Sequence, residues 1–162
     1  PKPDAQESRG LGDVYKRQIY ERFSLHLCPL VSELCPYWKS ANSKENKAFY
    51  FTIFPNTILN IAPGRLQTNI VEPKNSKTCV VHFDYHFDNP SEADIEKDAD
   101  FSEMVQEEDI LICESVQKGL ESKGYDKGKF SPLNEQGVFH FQSLVKSSLN
   151  LWAKLFKSVQ EW

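Results

Sequence analysis

Four strand-like segments follow one another closely between residues 48 and 87, and they restrict the fold more than any other feature of the sequence. Each segment is rich in β-branched and aromatic residues, and two to five residues that begin with proline separate it from the next. Connections this short join antiparallel neighbours, because a parallel crossover needs about a dozen residues or more. The sequence therefore predicts an antiparallel meander with strands at Ala48 to Phe54, Thr57 to Ala62, Leu66 to Glu72 and Thr78 to Phe87.

Two helices are predicted after these strands. Ser91 is suited to cap the first helix, which its apolar periodicity extends to about Lys123. A glycine-rich loop then leads to a second helix, predicted at Val138 to Trp162. Strands followed by helices without alternation are typical of an α+β domain. Residues 19 to 47 show a mixed pattern and are predicted to form loop with at most one short helix.

Asp109 lies in the middle of the apolar stripe of the first helix. At about 100° per residue, Val105, Cys113 and Val116 all fall within about 60° of it. The middle of the helix is also apolar on every side at residues 110 to 113, which predicts that it is buried against the sheet. A buried carboxylate must be paired, protonated or bound to a metal. At this point an arginine, tyrosine or backbone N–H partner and a metal ion are both open explanations.

Composition limits the class of partner. The formal net charge is −4 and no Lys/Arg cluster occurs, which argues against a nucleic-acid or anionic-membrane surface. No apolar run approaches the roughly 20 residues that cross a bilayer. The cysteines lack C-x-x-C spacing and predict reduced thiols in a soluble, cytoplasmic protein that binds small molecules or other proteins. They are Cys28, Cys35, Cys79 and Cys113.

The histidines do not suggest a metal site. His82 and His86 lie on a predicted strand, where four residues span about 13 Å, whereas two ligands of one ion lie within roughly 4 Å of each other. They are expected on the outer face of that strand. His140 is predicted to be a half-buried packing or hydrogen-bonding residue, and His26 is left unassigned. No nucleophile, phosphate-loop or dinucleotide motif is present. Asn60, inside an apolar strand, is a pocket candidate, although a structural role is preferred.

Residues 1 to 18 differ abruptly in composition from the rest of the chain. They end in GLGDVYKRQ, which resembles sequencing-adapter DNA that has been read as coding sequence in shotgun assemblies. We therefore expect residues 1–18 to be non-native sequence and residues 19–162 to form the domain. This interpretation also predicts that the chain is a fragment whose true N-terminal part is missing.

Three segments resemble one known family. They are Glu107 to Leu120, the loop Gly124 to Phe141 that comes after it, and Phe49 to Gly64. In order and spacing they are similar to the C-terminal catalytic domain of the large (α) subunit of Rieske-type ring-hydroxylating oxygenases, in the branch near choline and carnitine monooxygenases. The resemblance implies a helix-grip fold of the Bet v1/START-like kind, an antiparallel sheet packed on a long C-terminal helix and incomplete here. It also implies a homo-oligomer, often a trimer.

The resemblance further implies a mononuclear Fe(II) held by two histidines and one carboxylate, with the carboxylate at Asp109. The family's H-x-x-x-x-H segment and the C-x-H and C-x-x-H pairs of its [2Fe-2S] Rieske cluster do not occur in this sequence. We therefore expect the Rieske domain and the histidine ligands to be absent from this chain, which alone would be inactive. In the parent protein, electrons would come from NAD(P)H through a ferredoxin or flavin reductase.

The predicted function is that of a terminal oxygenase component. It would insert oxygen from O2, as a mono- or dioxygenase, into an aromatic or quaternary-amine substrate. The alternative is a non-enzymatic helix-grip domain that binds a hydrophobic ligand, with Asp109 paired to a basic or hydroxyl group. The residues predicted to line the substrate pocket are Asn60, Tyr50, Phe83, Tyr85, Val105 and Ile112.

Overall fold

The computed structural model describes residues 16–30, 47–122, 124–131 and 134–160, with side chains from residue 17 to 152. Six strands form one antiparallel sheet in which every strand pairs with its neighbours in chain order. Two helices follow the sheet, α1 at Glu92–Glu121 and α2 at Gln136–Gln160. The strands are β1 at Lys16–Ile19, β2 at Phe23–Pro29, β3 at Lys47–Ile53, β4 at Thr57–Ala62, β5 at Arg65–Pro73 and β6 at Cys79–Phe87.

Short-range polar contacts close the turns between the strands. Gly64 has a φ of 73°, which a residue without a Cβ adopts at little cost, and it joins β4 to β5. Between β5 and β6, the Asn75 side-chain oxygen accepts hydrogen bonds from the backbone N–H groups of Lys77 at 2.8 Å and Thr78 at 3.0 Å. Such Asx contacts replace the bonds that a turn removes from the ladder. The meander from β3 to β6 is therefore determined largely by local sequence.

The N-terminus of α1 is capped by Ser91, as predicted. The Ser91 hydroxyl accepts a hydrogen bond from the Asp94 backbone N–H at 3.2 Å, and the Asp94 carboxylate accepts one from the Ser91 backbone N–H at 3.2 Å. This reciprocal pair is a capping box and satisfies two donors that a helix end leaves without partners. The prediction of an antiparallel α+β fold is confirmed.

The prediction for the N-terminal part of the chain is wrong for residues 23–29. They form β2, which pairs with β3 along its whole length from Phe23↔Ile53 to Pro29↔Lys47. Three residues of the segment expected to be non-native, 16 to 18, form β1 together with Ile19 and pair with β2. The remainder of that segment, and residues 31–46, lie outside the described residues. β2 was missed because its strand state depends on pairing with β3, which is remote in sequence.

The expected burial of α1 against the sheet is also wrong in its middle. Ile110, Leu111 and Ile112 are 55%, 69% and 54% exposed. The helix lies over a cavity rather than on packed side chains, so its apolar residues there are only partly covered. Within the described part of the chain, neither helix is long and apolar enough to cross a bilayer. α2 contacts the sheet at one end, where the rings of Phe141 and Phe54 lie 5.8 Å apart.

Candidate functional site

The register of the sheet aligns polar side chains across the face that α1 covers. Directly paired residues point to the same face, so each pairing extends one row across the sheet. One row crosses all six strands, and its central members Tyr50, Asn60 and Gln67 line the space beneath α1. In strand order the row consists of Arg17, His26, Tyr50, Asn60, Gln67 and Tyr85.

A cavity of about 920 Å³ lies between this face and α1. Of the residues predicted for the substrate pocket, Asn60, Tyr50, Phe83 and Val105 line it. The other two predicted pocket residues lie elsewhere. Tyr85 packs its ring under the Arg65 guanidinium at 5.0 Å. Ile112 is 54% exposed and is not part of the cavity wall.

Asp109 lines the same cavity from the helix side. The prediction that its side chain is buried is wrong, because the residue is exposed. Its carboxylate faces an open cavity and keeps access to water, so it does not incur the cost of a buried charge. Among the described residues, no hydrogen bond or ion pair engages this carboxylate, which leaves both of its oxygens available to a ligand.

A buried polar cluster joins β5 to the first half of α1. Arg65 donates from Nε to the Asp98 carboxylate at 2.9 Å and from its terminal NH2 group to the Ser102 hydroxyl at 2.9 Å. The side chains of Arg65 and Asp98 are only 6% and 3% exposed. Sequence reasoning missed this cluster. The available signal was that Asp98 lies on the same helical face as Asp109, eleven residues earlier.

A second contact joins α1 to the sheet at the other end of the cavity. Lys77, in the turn between β5 and β6, lies 3.2 Å from the Glu121 carboxylate. Gln117 also donates to Glu121 at 2.9 Å, and these two contacts, that of Gln117 first, lower the pKa of Glu121. Both charged side chains of this pair are well exposed, so the pair is expected to contribute little to stability.

His82, His86 and His140 have the exposure that was predicted for them. His82 and His86 are exposed on the outer face of β6, where His82 Nε2 lies 3.0 Å from a Glu72 carboxylate oxygen. The Lys74 ammonium, and after it His82, lower the pKa of Glu72. His140 is half-buried, and in the described part of the chain its Nε2 has no hydrogen-bond partner.

His26 makes the pH dependence of stability testable. Burial of its imidazole, with the positive charge of Arg17 adding to the effect, lowers its pKa below the usual 6.5. Below pH 6.5 the unfolded chain therefore binds a proton that the folded chain resists, and stability falls as the pH falls towards the lowered pKa. His26→Gln should reduce this pH dependence by at most about 1.4 kcal/mol per pH unit. Urea unfolding at pH 7.5 and pH 5.5 measures the free energy of unfolding of both proteins. If this free energy changes equally with pH in the wild type and in His26→Gln, the assignment is contradicted.

Some side chains of the cavity wall are of the kinds that bind transition metals. The wall includes two carboxylates, Asp109 and Glu114, and two thiols, Cys79 and Cys113. In the described ranges, no group of three His, Cys, Asp or Glu side chains is close enough to hold a metal ion. The donor chemistry at Asp109 fits one oxygen ligand of an iron centre, and these residues do not by themselves form a complete coordination sphere.

Comparison with known proteins assigns a family. Residues 31–150 match the model of the ring hydroxylating alpha subunit (catalytic domain). The chain is 34% identical over 142 residues to chloroplastic choline monooxygenase of Arabidopsis thaliana, covering 86% of this chain and 33% of that protein. It is 34% identical over 106 residues to the carnitine monooxygenase oxygenase subunit of Escherichia coli K12, covering 59% of this chain and 28% of that protein. The chain thus spans about a third of the length of these relatives.

A solved structure supports the fold. A quaternary ammonium Rieske monooxygenase, determined in complex with L-carnitine, superposes with a TM-score of 0.62 at 22% identity, covering 82% of this chain and 36% of that one. A second structure of that enzyme, with an inhibitor, gives a TM-score of 0.65. The resemblance of the three sequence segments is thereby confirmed. This chain belongs to the family of ring hydroxylating alpha subunits and comprises a part of their catalytic domain.

Proposed function

We propose that this chain is the C-terminal part of the catalytic domain of a Rieske-type terminal oxygenase. In this proposal, Asp109 is the carboxylate ligand of a mononuclear Fe(II) at the cavity beneath α1. The observation that carries the proposal is the position of the Asp109 carboxylate. It lines a cavity of about 920 Å³, has no partner among the described residues, and lies within the part of the chain that matches the catalytic-domain family.

Other segments of the full-length protein would complete the site. Two histidines in an H-x-x-x-x-H segment would supply the remaining iron ligands, and a [2Fe-2S] Rieske cluster would deliver electrons from NAD(P)H through a ferredoxin or flavin reductase. A ferrous ion with three protein ligands keeps coordination positions for dioxygen, and this is the chemistry that it would supply. The role of the present residues is to enclose the substrate and to hold one carboxylate beside it. A homotrimer is the expected assembly.

We further propose a quaternary ammonium compound as the substrate, rather than an aromatic acid. Two kinds of relatives, named choline and carnitine monooxygenases, favour this class. The cavity wall also suits it, since Tyr50, Phe83 and Phe101 supply aromatic rings and Glu114 supplies a second carboxylate. A quaternary ammonium group cannot donate a conventional N–H hydrogen bond, so aromatic faces and diffuse negative charge are what can recognise it.

A pair of phenylalanine variants tests this substrate class. Phe83 lines the cavity, whereas Phe87 lies four residues further along the same strand and outside the cavity wall. In the full-length protein, Phe83→Leu is expected to weaken binding of choline or carnitine by about 2- to 30-fold, because one cation–π contact contributes about 0.5–2 kcal/mol. Phe87→Leu is expected to leave binding unchanged. Isothermal titration with choline, carnitine and benzoate measures the difference.

The pattern of binding decides between the classes. Tight binding of benzoate but neither cation would contradict the quaternary ammonium proposal and leave the oxygenase proposal standing. Sequencing the reading frame upstream of Ile19 tests the oxygenase proposal itself. Recovery of the C-x-H, C-x-x-H and H-x-x-x-x-H segments is expected. A complete protein that lacks them, and binds a hydrophobic ligand without iron, would instead be the non-enzymatic carrier.

A further inference from the structure

α1 is joined to the sheet by polar contacts at both ends of the cavity, and the two contacts differ in kind. Near its start, Asp98 and Ser102 are held by Arg65 in a cluster that is almost fully excluded from water. Near its end, Glu121 is held by Lys77 in an exposed pair, with side chains 44% and 65% exposed. Because exposed pairs are screened by solvent, the Arg65 cluster is the stronger attachment.

Between these attachments, the described residues provide little packing for the helix. Ile110, Leu111 and Ile112 are all more than half exposed. Phe101, Val105 and Ile110 face the cavity rather than a filled core. A helix that is not fixed by interdigitated side chains can rotate about its axis at small cost. Among the contacts of the described residues, those at its two ends are therefore the ones that can fix its rotation.

The residues held by Arg65 share a helical face with Asp109. At about 100° per residue, Ser102 lies about 40° from Asp98 and Asp109 lies about 20° from it. The distance along the axis from Asp98 to Asp109 is about 16 Å at 1.5 Å per residue. Any rotation permitted at Asp98 is thus transmitted to the direction in which the Asp109 carboxylate points.

The effect of a small rotation is large compared with the tolerance of a metal site. A side-chain tip lies about 5–6 Å from the helix axis, so a rotation of about 20° moves it by about 2 Å. Metal–ligand distances are held within about 0.2 Å. A single hydrogen bond to α1 would leave rotation possible, whereas the planar Arg65 guanidinium donates to two side chains one turn apart and restricts both rotation and sliding.

From these contacts, we propose that Arg65 is a positioning residue for Asp109. By holding Asp98 and Ser102 it fixes the rotation of α1 and so directs the Asp109 carboxylate into the cavity. This inference rests on the proposed function, in which that carboxylate binds Fe(II). Arg65 also lies in the wall of this cavity, but its guanidinium donates to Asp98 and Ser102, so its proposed action on Asp109 runs through the helix.

The test uses the full-length protein and the variants Arg65→Met, Arg65→Lys and Glu121→Gln. Arg65→Met is expected to weaken mononuclear Fe(II) binding by about 10- to 100-fold, the range seen when a group that orients a metal ligand is lost. Arg65→Lys keeps the charge but not the two-pronged donor, so it is expected to alter the electron paramagnetic resonance spectrum of the Fe(II)–nitrosyl adduct. Glu121→Gln, the matched control at the exposed pair and outside the cavity wall, is expected to change neither. Far-UV circular dichroism and a cooperative urea unfolding transition report whether each variant is folded.

Hydrogen exchange in the iron-free protein adds a readout that needs no metal. Arg65→Met should accelerate exchange of the amides from 103 to 113, while Glu121→Gln should affect only the last turns of α1. If Arg65→Met does not fold, Ser102→Ala removes one of the two partners and should give a smaller effect in the same direction. The inference is overturned if the folded Arg65 variants, or Ser102→Ala, keep the iron affinity, the nitrosyl spectrum and the exchange rates of the wild type. If the role of Arg65 is overturned but Asp109→Ala loses its mononuclear iron, the proposed function survives. If Asp109→Ala keeps that iron, both the role of Arg65 and the proposed function fail.

Discussion

Replacing Asp109 by alanine in the full-length protein is expected to remove nearly all of the mononuclear iron and all turnover. If this carboxylate is one of three protein ligands, its loss should weaken Fe(II) binding by at least about 100-fold, since even groups that only orient a ligand typically contribute about 10- to 100-fold. Iron is counted per subunit after gel filtration. The Rieske cluster would lie elsewhere in the protein, so its visible spectrum should be unchanged.

A neighbouring acid supplies the control for this experiment. Glu108 is exposed, adjacent in sequence and outside the cavity wall, so Glu108→Ala removes the same charge without removing the proposed ligand. Its iron content is expected to equal that of the wild type. Asp109→Glu should retain part of the iron, because the oxygen ligand remains but is displaced by one methylene. Full iron occupancy in Asp109→Ala would refute the assignment of this site.

The largest effect on stability is expected at Asp98. Its carboxylate pairs with Arg65 at 2.9 Å, and both side chains are almost fully buried. Asp98→Ala leaves the Arg65 charge buried without its carboxylate partner, which should lower the free energy of unfolding by about 3–5 kcal/mol. Denaturant unfolding of the full-length protein, followed by far-UV circular dichroism, measures this loss.

A double variant distinguishes the interaction energy of Asp98 with Arg65 from the general cost of a substitution at a buried position. In Asp98→Ala combined with Arg65→Met, the uncompensated charge is gone, so the double variant should be less destabilised than the sum of the two single changes. Glu121→Ala breaks the exposed contact with Lys77 and is expected to leave stability almost unchanged. Additive effects at Asp98 and Arg65 would show that the two side chains do not act as a pair.

Local sequence was sufficient to predict the second half of the fold. The predicted strands match β3 to β6 within one residue at each end, and Ser91 caps the start of α1 as expected. These features depend on alternation, turn residues and capping, all of which act within a few residues. β1 and β2 were missed because their strand state depends on antiparallel pairing. β1 pairs with β2, and β2 pairs with β3, which follows residues 31–46 in the chain.

The site divides in the same way. Helical periodicity alone placed Asp109 on the inward face of α1, and alternation alone placed His82 and His86 on the outer face of β6. The cavity between α1 and the sheet, the alignment of Tyr50, Asn60 and Phe83 on one of its walls, and the exposure of Asp109 within it were decided by the tertiary structure. So was the attachment of Arg65 to Asp98, which are 33 residues apart in the chain. Periodicity records the direction of a side chain about its own element, whereas the distance and contacts between elements depend on how the whole chain packs.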